Sequence, residues 1–134
     1  MTTNRKTLAD LDHVRERIIP GGYMAISEGW ADLVFELDAA LALIDPDYTI
    51  AQVKEKFGGL RYYLDSPETE TMRELIRQAE IKSYETCEND GKPGEPWQFG
   101  YWITTVCPDC AAELKEKKKN QGVQKPVNML EWSS

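Results

Sequence analysis

Histidine and cysteine are scarce in this chain of 134 residues, which contains one histidine and three cysteines. An odd number of cysteines does not fit a framework of paired disulfides and suits a reducing compartment better. The single histidine, His13, is expected at the surface of a helix and not as a metal ligand. The scarcity therefore disfavours a disulfide-stabilised fold and leaves the cysteines as the main candidates for metal chemistry.

Long apolar runs are also missing from the sequence. No stretch approaches the roughly 18 apolar residues that a membrane-spanning helix requires. Residues 1–10 have no apolar core of the kind that a signal peptide contains. We therefore expect a cytoplasmic protein with no membrane partner.

Basic residues are outnumbered, with 16 lysines and arginines against 23 acidic residues and a formal net charge of -7. Broad, nonspecific binding of nucleic acid needs clustered lysine and arginine, so this composition argues against it. An acidic surface suits a basic partner, although it also serves ordinary solubility. A length of 134 residues fits one domain.

The three cysteines that are present lie close together in the sequence, in two short motifs. The second motif, Cys107-Pro108-Asp109-Cys110, has the C-x-x-C spacing with which two thiolates hold one zinc ion at about 2.3 Å each. The first motif has the same spacing with aspartate in place of its second cysteine, and aspartate can also bind zinc. We therefore predict a closed, structural zinc site with four ligands: Cys87, Asp90, Cys107 and Cys110.

The order of these motifs also indicates a type of zinc module. A cysteine motif is followed by an aromatic, strand-like segment and then by a C-x-x-C motif at the start of a helix. This order resembles a treble-clef zinc module, in which the helix N-terminus favours a negative thiolate cluster. Alternatively, the site lost its metal when a cysteine became Asp90, and four aromatic residues alone hold this end: Trp97, Phe99, Tyr101 and Trp102.

Two enzyme groups share part of this pattern. A C-x-x-C motif between a strand and a helix also looks like the redox motif of the thioredoxin and glutaredoxin group. In that fold the motif comes early and more of the fold follows it, whereas here only residues 111–134 remain. A zinc deaminase pairs an H-x-E motif with P-C-x-x-C, and Cys87-Glu88-Asn89 does not supply the first motif.

Hydrophobic spacing predicts an α+β fold with three main helices, a central β-hairpin and a treble-clef-like zinc module at the C-terminal end. The predicted elements are helices at 8–18, 27–44 and 66–84, a hairpin at 50–65, a strand at 97–106 and a short helix at 111–119. Residues 1–119 should form one compact domain, in which 84–119 are the zinc-like module. Residues 120–134 look like an extended tail with an apolar hook at residues 129–132.

The predicted hairpin has Gly58-Gly59 as its two turn residues, which makes Lys56 face Arg61. One face of the hairpin should pack on the helices with Val53, Phe57, Leu60, Tyr62 and Leu64. The other face gathers Lys54, Lys56, Arg61 and Tyr63. Cations directly opposite each other destabilise a sheet, so we expect a nearby negative charge that offsets their repulsion. A helix carboxylate could supply this charge, or alternatively a phosphate, an acidic partner or a nucleic-acid backbone.

Three parts of the sequence carry a resemblance to a known family: Gly29-Trp30, residues 52–63, and Thr86-Cys87-Glu88 with the closing C-x-x-C motif. Over residues 29–112 the chain resembles an uncharacterised family of small bacterial and bacteriophage proteins. In that family a V-K-E-K-F-G-x-L-R segment is followed by T-C-x-x-C and by C-x-x-C or C-x-x-H, which looks like a zinc site. This chain departs from the pattern at Asp90. The resemblance implies a phage or mobile-element setting and supplies no reaction.

The sequence therefore predicts a small, acidic, zinc-binding protein that is not an enzyme. We expect it to act through a protein partner by docking on a larger host assembly, for example as an inhibitor of a bacterial defence complex. The first alternative is a binder of nucleic acid or a nucleotide through phosphate, with Lys54, Lys56 and Arg61 as cations and Tyr63 as a stacking surface.

The second alternative is an enzyme that uses the same cysteine motifs. Its chemistry would be thiol redox at Cys107 and Cys110, or hydrolysis at an open zinc position if Asp90 is not a ligand.

Overall fold

The computed structural model of the chain describes residues 5–129 and shows an α+β fold with two small sheets. Within the described residues there are four α-helices: α1 (Asp12–Arg15), α2 (Ala31–Ile44), α3 (Glu70–Ser83) and α4 (Pro108–Lys117). The strands are β1 (Ile18–Ala25), β2 (Ile50–Lys56), β3 (Gly59–Leu64), β4 (Glu95–Phe99), β5 (Trp102–Val106) and β6 (Gln124–Pro126). Every helix in this part of the chain is too short or too polar to cross a membrane.

The first sheet has the strand order β1-β2-β3, so the predicted hairpin is part of a three-stranded sheet. Strand β1 runs parallel to β2 and was not predicted, because Pro20-Gly21-Gly22 reads as a helix stop. The first helix ends at Arg15, and the predicted helical end at Ile18 is wrong. Proline and glycine are tolerated in β1 because it is an edge strand whose pairing is interrupted between Ile18 and Tyr23.

The hairpin between β2 and β3 turns one residue earlier than predicted. Its turn residues are Phe57 and Gly58, with φ angles of 54° and 80°, as a tight two-residue turn of the I′ type requires. Lys56 therefore faces Gly59, and Lys54 faces Arg61. The predicted Gly58-Gly59 turn and the burial of Phe57 are wrong, since Phe57 is 53% exposed.

Gly59 is not a turn residue, and its lack of a side chain is needed for packing against Tyr84. A Cβ atom at this position would lie 2.5 Å from the Tyr84 ring, so only glycine lets that ring approach the strand. A glycine pair alone does not reveal which member forms the turn, which explains the register error.

The main core lies between the first sheet and helices α2 and α3. It is built from apolar side chains of the sheet and of both helices, together with Trp30, and its members include Val34, Leu41, Val53 and Met72. Helix α3 begins at Glu70 after Thr69, whose Oγ1 accepts a hydrogen bond from the amide of Met72 at 3.1 Å. The predicted start of this helix at residues 66–68 is therefore too early.

One buried polar network crosses this core. The carboxylate of Asp38 accepts hydrogen bonds from Arg17 Nε at 2.7 Å and from the hydroxyl of Tyr48, whose oxygen lies 2.7 Å from that of Tyr62. Burial raises the pKa of both tyrosines, and the nearby carboxylate adds to the effect. His13 lies 3.5 Å from the same carboxylate, at the solvent edge of the network.

The second sheet has the order β5-β4-β6 and belongs to the C-terminal part of the chain. Strand β6 pairs with β4, and Met129 is buried with Tyr84 and Ile103. Residues 124–129 of the predicted tail therefore pack on the rest of the molecule. The other residues of the predicted apolar hook, including Trp132, lie outside the described residues.

Candidate metal centre

The four predicted metal ligands come from two structural elements. Cys87 and Asp90 belong to a tight turn after α3, in which the amide of Gly91 donates to the carbonyl of Cys87 at 3.0 Å. Cys107 is the residue immediately before α4, and Cys110 lies in the first turn of that helix. Pro108 suits the first helical position because no intrahelical partner is lost there.

The structure brings the four ligand atoms together, all within 4.8 Å of one another. The Sγ atoms of Cys87 and Cys110 are 3.8 Å apart. Asp90 Oδ2 lies 3.2 Å from Cys107 Sγ and 3.7 Å from Cys110 Sγ. Tetrahedral zinc, with its usual bond lengths, places sulfur ligands about 3.8 Å apart and sulfur and oxygen about 3.5 Å apart. The spacing of the side chains thus fits one tetrahedral ion.

The protein environment favours the neutral thiols of Cys87 and Cys110 in the absence of a cation. Burial raises the pKa of Cys87, and it raises the pKa of Cys110 to about 12. Burial also acts to raise the pKa of Asp90, but hydrogen bonds from the Lys92 amide and from neighbouring thiols outweigh it and lower the pKa. A divalent cation would deprotonate the thiols on binding, and the N-terminus of α4 would help to offset their charge.

The residues immediately before α2 hold the turn that carries Cys87. The amide of Gly29 donates to the carbonyl of Glu88 at 2.7 Å, and Trp30 Nε1 donates to the carbonyl of Thr86 at 2.9 Å. A Cβ atom on Gly29 would lie 2.1 Å from the carbonyl oxygen of Cys87. Gly29 and Trp30 therefore position the turn at residues 87–90, which we call the metal turn because it carries the potential ligands Cys87 and Asp90. No local sequence pattern indicated this role, because the contact joins segments far apart in the chain.

A second set of contacts holds the same turn against β5 and the hairpin. The Glu88 carboxylate accepts from Thr104 Oγ1 at 2.9 Å and from the amide of Thr105 at 3.2 Å. The hydroxyl of Thr105 donates to the carbonyl of Gly58 at 2.7 Å. Burial raises the pKa of Glu88 to about 7. The hairpin turn and the metal turn thus contact the same strand.

The predicted basic residues lie on one face of the first sheet, on elements other than those that carry the cysteine cluster. The register places Lys54 beside Arg61 in one row and Tyr63 in the next, with Lys56 further along β2. Arg61 Nη1 lies 2.7 Å from a carboxylate oxygen of Glu80, so a helix carboxylate offsets this cation, as one of the sequence alternatives predicted. Lys54 and Lys56 have no ion-pair partner within residues 5–129.

Comparisons of the chain with protein-family models, with curated protein sequences and with solved structures gave no match. The resemblance to small bacterial and bacteriophage proteins stays a prediction. The chemistry of the cysteine cluster and of the basic face is therefore inferred from the residues of this chain.

Proposed function

We propose that the protein binds one zinc ion through three thiolates and one carboxylate, and that the ion has a structural role. The observation that carries this proposal is the convergence of four potential ligand atoms within 4.8 Å of one another. Three of the four are sulfur atoms, a donor set that favours zinc over magnesium or calcium. Four protein ligands complete the coordination and leave no position for a substrate.

The order of the elements around the site supports a treble-clef-like module. A metal turn at residues 87–90 is followed by the β4–β5 hairpin and then by α4, which begins directly after Cys107. The small cluster of buried side chains here contains Cys87, Val106, Cys107 and Ala111, with few large apolar groups. A metal ion would add the stability that such a small core lacks.

On this basis the protein is a metal-stabilised binding protein and not an enzyme. Its cysteines serve as ligands, which disfavours the alternative of a redox pair at Cys107 and Cys110. Docking on a larger host assembly, with inhibition of a defence complex as one form, remains a prediction that follows from size, acidity and the resemblance. The partner would be recognised by a surface away from the metal.

Native mass spectrometry of the purified chain, before and after a chelator, tests the zinc proposal. The wild type should retain one zinc ion per chain. Asp90→Ala should release zinc at a chelator concentration at least about 10- to 100-fold lower, because loss of a ligand should cost no less than loss of a residue that hydrogen-bonds to a ligand. Asp109→Ala is the matched control, because Asp109 lies between Cys107 and Cys110 in the sequence and outside the cluster.

Two results would contradict the proposal. One is a purified wild-type chain that takes up no zinc when it is refolded with the metal. The other is a reversible disulfide between Cys107 and Cys110 that forms equally well with and without zinc, which would favour the redox alternative.

A further inference from the structure

The face of the first sheet that carries the predicted basic residues also carries a row of aromatic rings. In the register, Tyr23 of β1 pairs with Gln52 of β2, which pairs with Tyr63 of β3. The next row along the sheet is formed by Ala25, Lys54 and Arg61. We call the surface formed by Tyr23, Lys54, Lys56 and Tyr63 the tyrosine–lysine face.

The tyrosine–lysine face points away from the main core. Met24, Val53 and Tyr62 form the row on the opposite side of the sheet, and Val53 and Tyr62 are buried core residues. Tyr23 and Tyr63 are 42% and 44% exposed. Aromatic surface of this kind on an open sheet is available to stack on a flat ligand.

Lys54 lies between the two exposed rings. Its Nζ atom is 6.0 Å from the centroid of the Tyr23 ring and 5.9 Å from that of the Tyr63 ring. Lys56, two residues further along β2, extends the positive charge toward the exposed ring of Phe57, with its Nζ 5.8 Å from that centroid. Because neither lysine has an ion-pair partner among the described residues, both cations are free to contact an anion.

We infer that the tyrosine–lysine face binds single-stranded nucleic acid, with bases stacked on Tyr23 and Tyr63 and phosphates contacted by Lys54 and Lys56. Aromatic rings on an exposed sheet, interleaved with cations, are the chemistry by which proteins hold unpaired bases. The rings lie two strands apart, about 10 Å, which suits bases splayed from each other. A duplex keeps its bases stacked inside and would present only phosphates to this face.

The inference goes beyond the proposed function, because the metal cluster contributes no residue to this face. It also agrees with the acidic composition. With a net charge of -7, the chain lacks the broad positive surface of a nonspecific binder, so contact is confined to a short site with two phosphates. Affinity should depend on stacking more than on charge.

Fluorescence anisotropy with the full, zinc-loaded chain tests this inference directly. The probes are labelled oligothymidylate and oligouridylate of about twelve nucleotides, with a duplex of equal length and polyphosphate as competitors. Tyr23→Ala and Tyr63→Ala should each weaken binding about 5- to 150-fold, the loss expected for one stacked base. Lys54→Gln should reduce the slope of log affinity against log salt by about 0.7.

Three further variants separate stacking from folding. Tyr63→Phe keeps the ring and should bind nearly as the wild type does, whereas Tyr63→Leu keeps a bulky apolar side chain and should lose binding. Tyr101→Ala removes a fully exposed ring in the β4–β5 turn and should have no effect. Thermal melts show whether each variant is folded.

The inference is overturned by no binding of either oligonucleotide at about 100 µM protein, the weak end of nonspecific affinities. It is also overturned if duplex or polyphosphate competes as well as the single strand, since the site would then recognise charge alone. Equal losses in Tyr63→Phe and Tyr63→Leu would likewise exclude stacking. Zinc content is measured on the same samples. A loss of oligonucleotide binding can then be told apart from a failure of the metal proposal.

Discussion

Gly29 positions the metal turn because it has no side chain and can approach the turn closely. Its amide donates to the carbonyl of Glu88, and a Cβ atom would lie 2.1 Å from the carbonyl oxygen of Cys87. Gly29→Ala should therefore lower the free energy of unfolding by about 2–3 kcal/mol, as overpacking of a tight contact does. Chemical denaturation measures this loss. In a chelator titration the variant should release zinc at a lower chelator concentration than the wild type.

Gly21→Ala is the control for that variant. A Cβ atom at Gly21 meets nothing within 4 Å, but its φ of 89° makes alanine strained by about 1–2 kcal/mol. Gly21→Ala should therefore cost stability without changing the chelator titration. Equal chelator sensitivity in the two variants would show that Gly29 does not support the metal turn.

The buried tyrosines predict a loss of stability in alkaline solution. Burial raises the pKa of Tyr48 and Tyr62 in the folded chain above the ordinary value of about 10. Below pH 10 both states keep the phenol protons, so these groups add no pH dependence. Above pH 10 the unfolded state releases protons that the folded state retains, and the free energy of unfolding falls as pH rises.

Denaturant unfolding between pH 8 and about pH 11 tests this alkaline effect. Tyr62→Phe should give a shallower decline than the wild type, although its stability at pH 8 is lower because the hydrogen bond to Tyr48 is lost. Tyr101→Phe changes an exposed phenol and should leave the slope unchanged. Parallel curves for wild type and Tyr62→Phe would contradict the account.

At the residue scale, the sequence allowed prediction of four side chains that converge and could hold a metal ion, but not of the residues that position them. The spacing of Cys107 and Cys110 is a local pattern, and zinc chemistry gives it meaning without any knowledge of the fold. The contacts of Gly29 and Trp30 with the metal turn depend on which distant segments meet. Both residues belonged to the segments on which the family resemblance rested, yet no local pattern indicated what they touch.

At the scale of elements, α2 and α4 were close to their predicted positions because an apolar stripe and a C-x-x-C helix start are strong local signals. Strand β1 was missed because Pro20-Gly21-Gly22 normally ends an element, and only its edge position makes these residues acceptable. The hairpin was predicted but its register was not, since tertiary packing of Tyr84 against Gly59 decides how the glycines are used.

The packing around strand β6 leads to a prediction about the segment that the sequence indicated as a tail. Met129 follows β6 and is buried against Tyr84 and Ile103. Met129→Ala should lower the free energy of unfolding by about 2–4 kcal/mol, the usual cost of removing a buried methionine side chain. Val123→Ala, at an exposed position before the strand, should cost little. A negligible effect of Met129→Ala would mean that this segment does not pack on the second sheet.

At the scale of the whole molecule, segments far apart in sequence meet around the metal turn. Gly29 and Trp30, immediately before α2, donate to its carbonyls, and β5 joins it to the hairpin through Thr105, which donates to Gly58. A metal ion at this turn would therefore stabilise the junction between the two sheets as well as the C-terminal module. The tyrosine–lysine face lies on the sheet that this junction supports.

X-ray absorption at the zinc edge of the zinc-loaded chain would show directly which atoms bind the ion. We expect three sulfur neighbours at about 2.3 Å and one oxygen neighbour at about 2.0–2.2 Å. In Asp90→Ala the three sulfur neighbours of zinc should remain. The oxygen neighbour should be lost or replaced by a solvent oxygen. A zinc ion surrounded mainly by nitrogen and oxygen, or a chain that holds no zinc, would contradict the account.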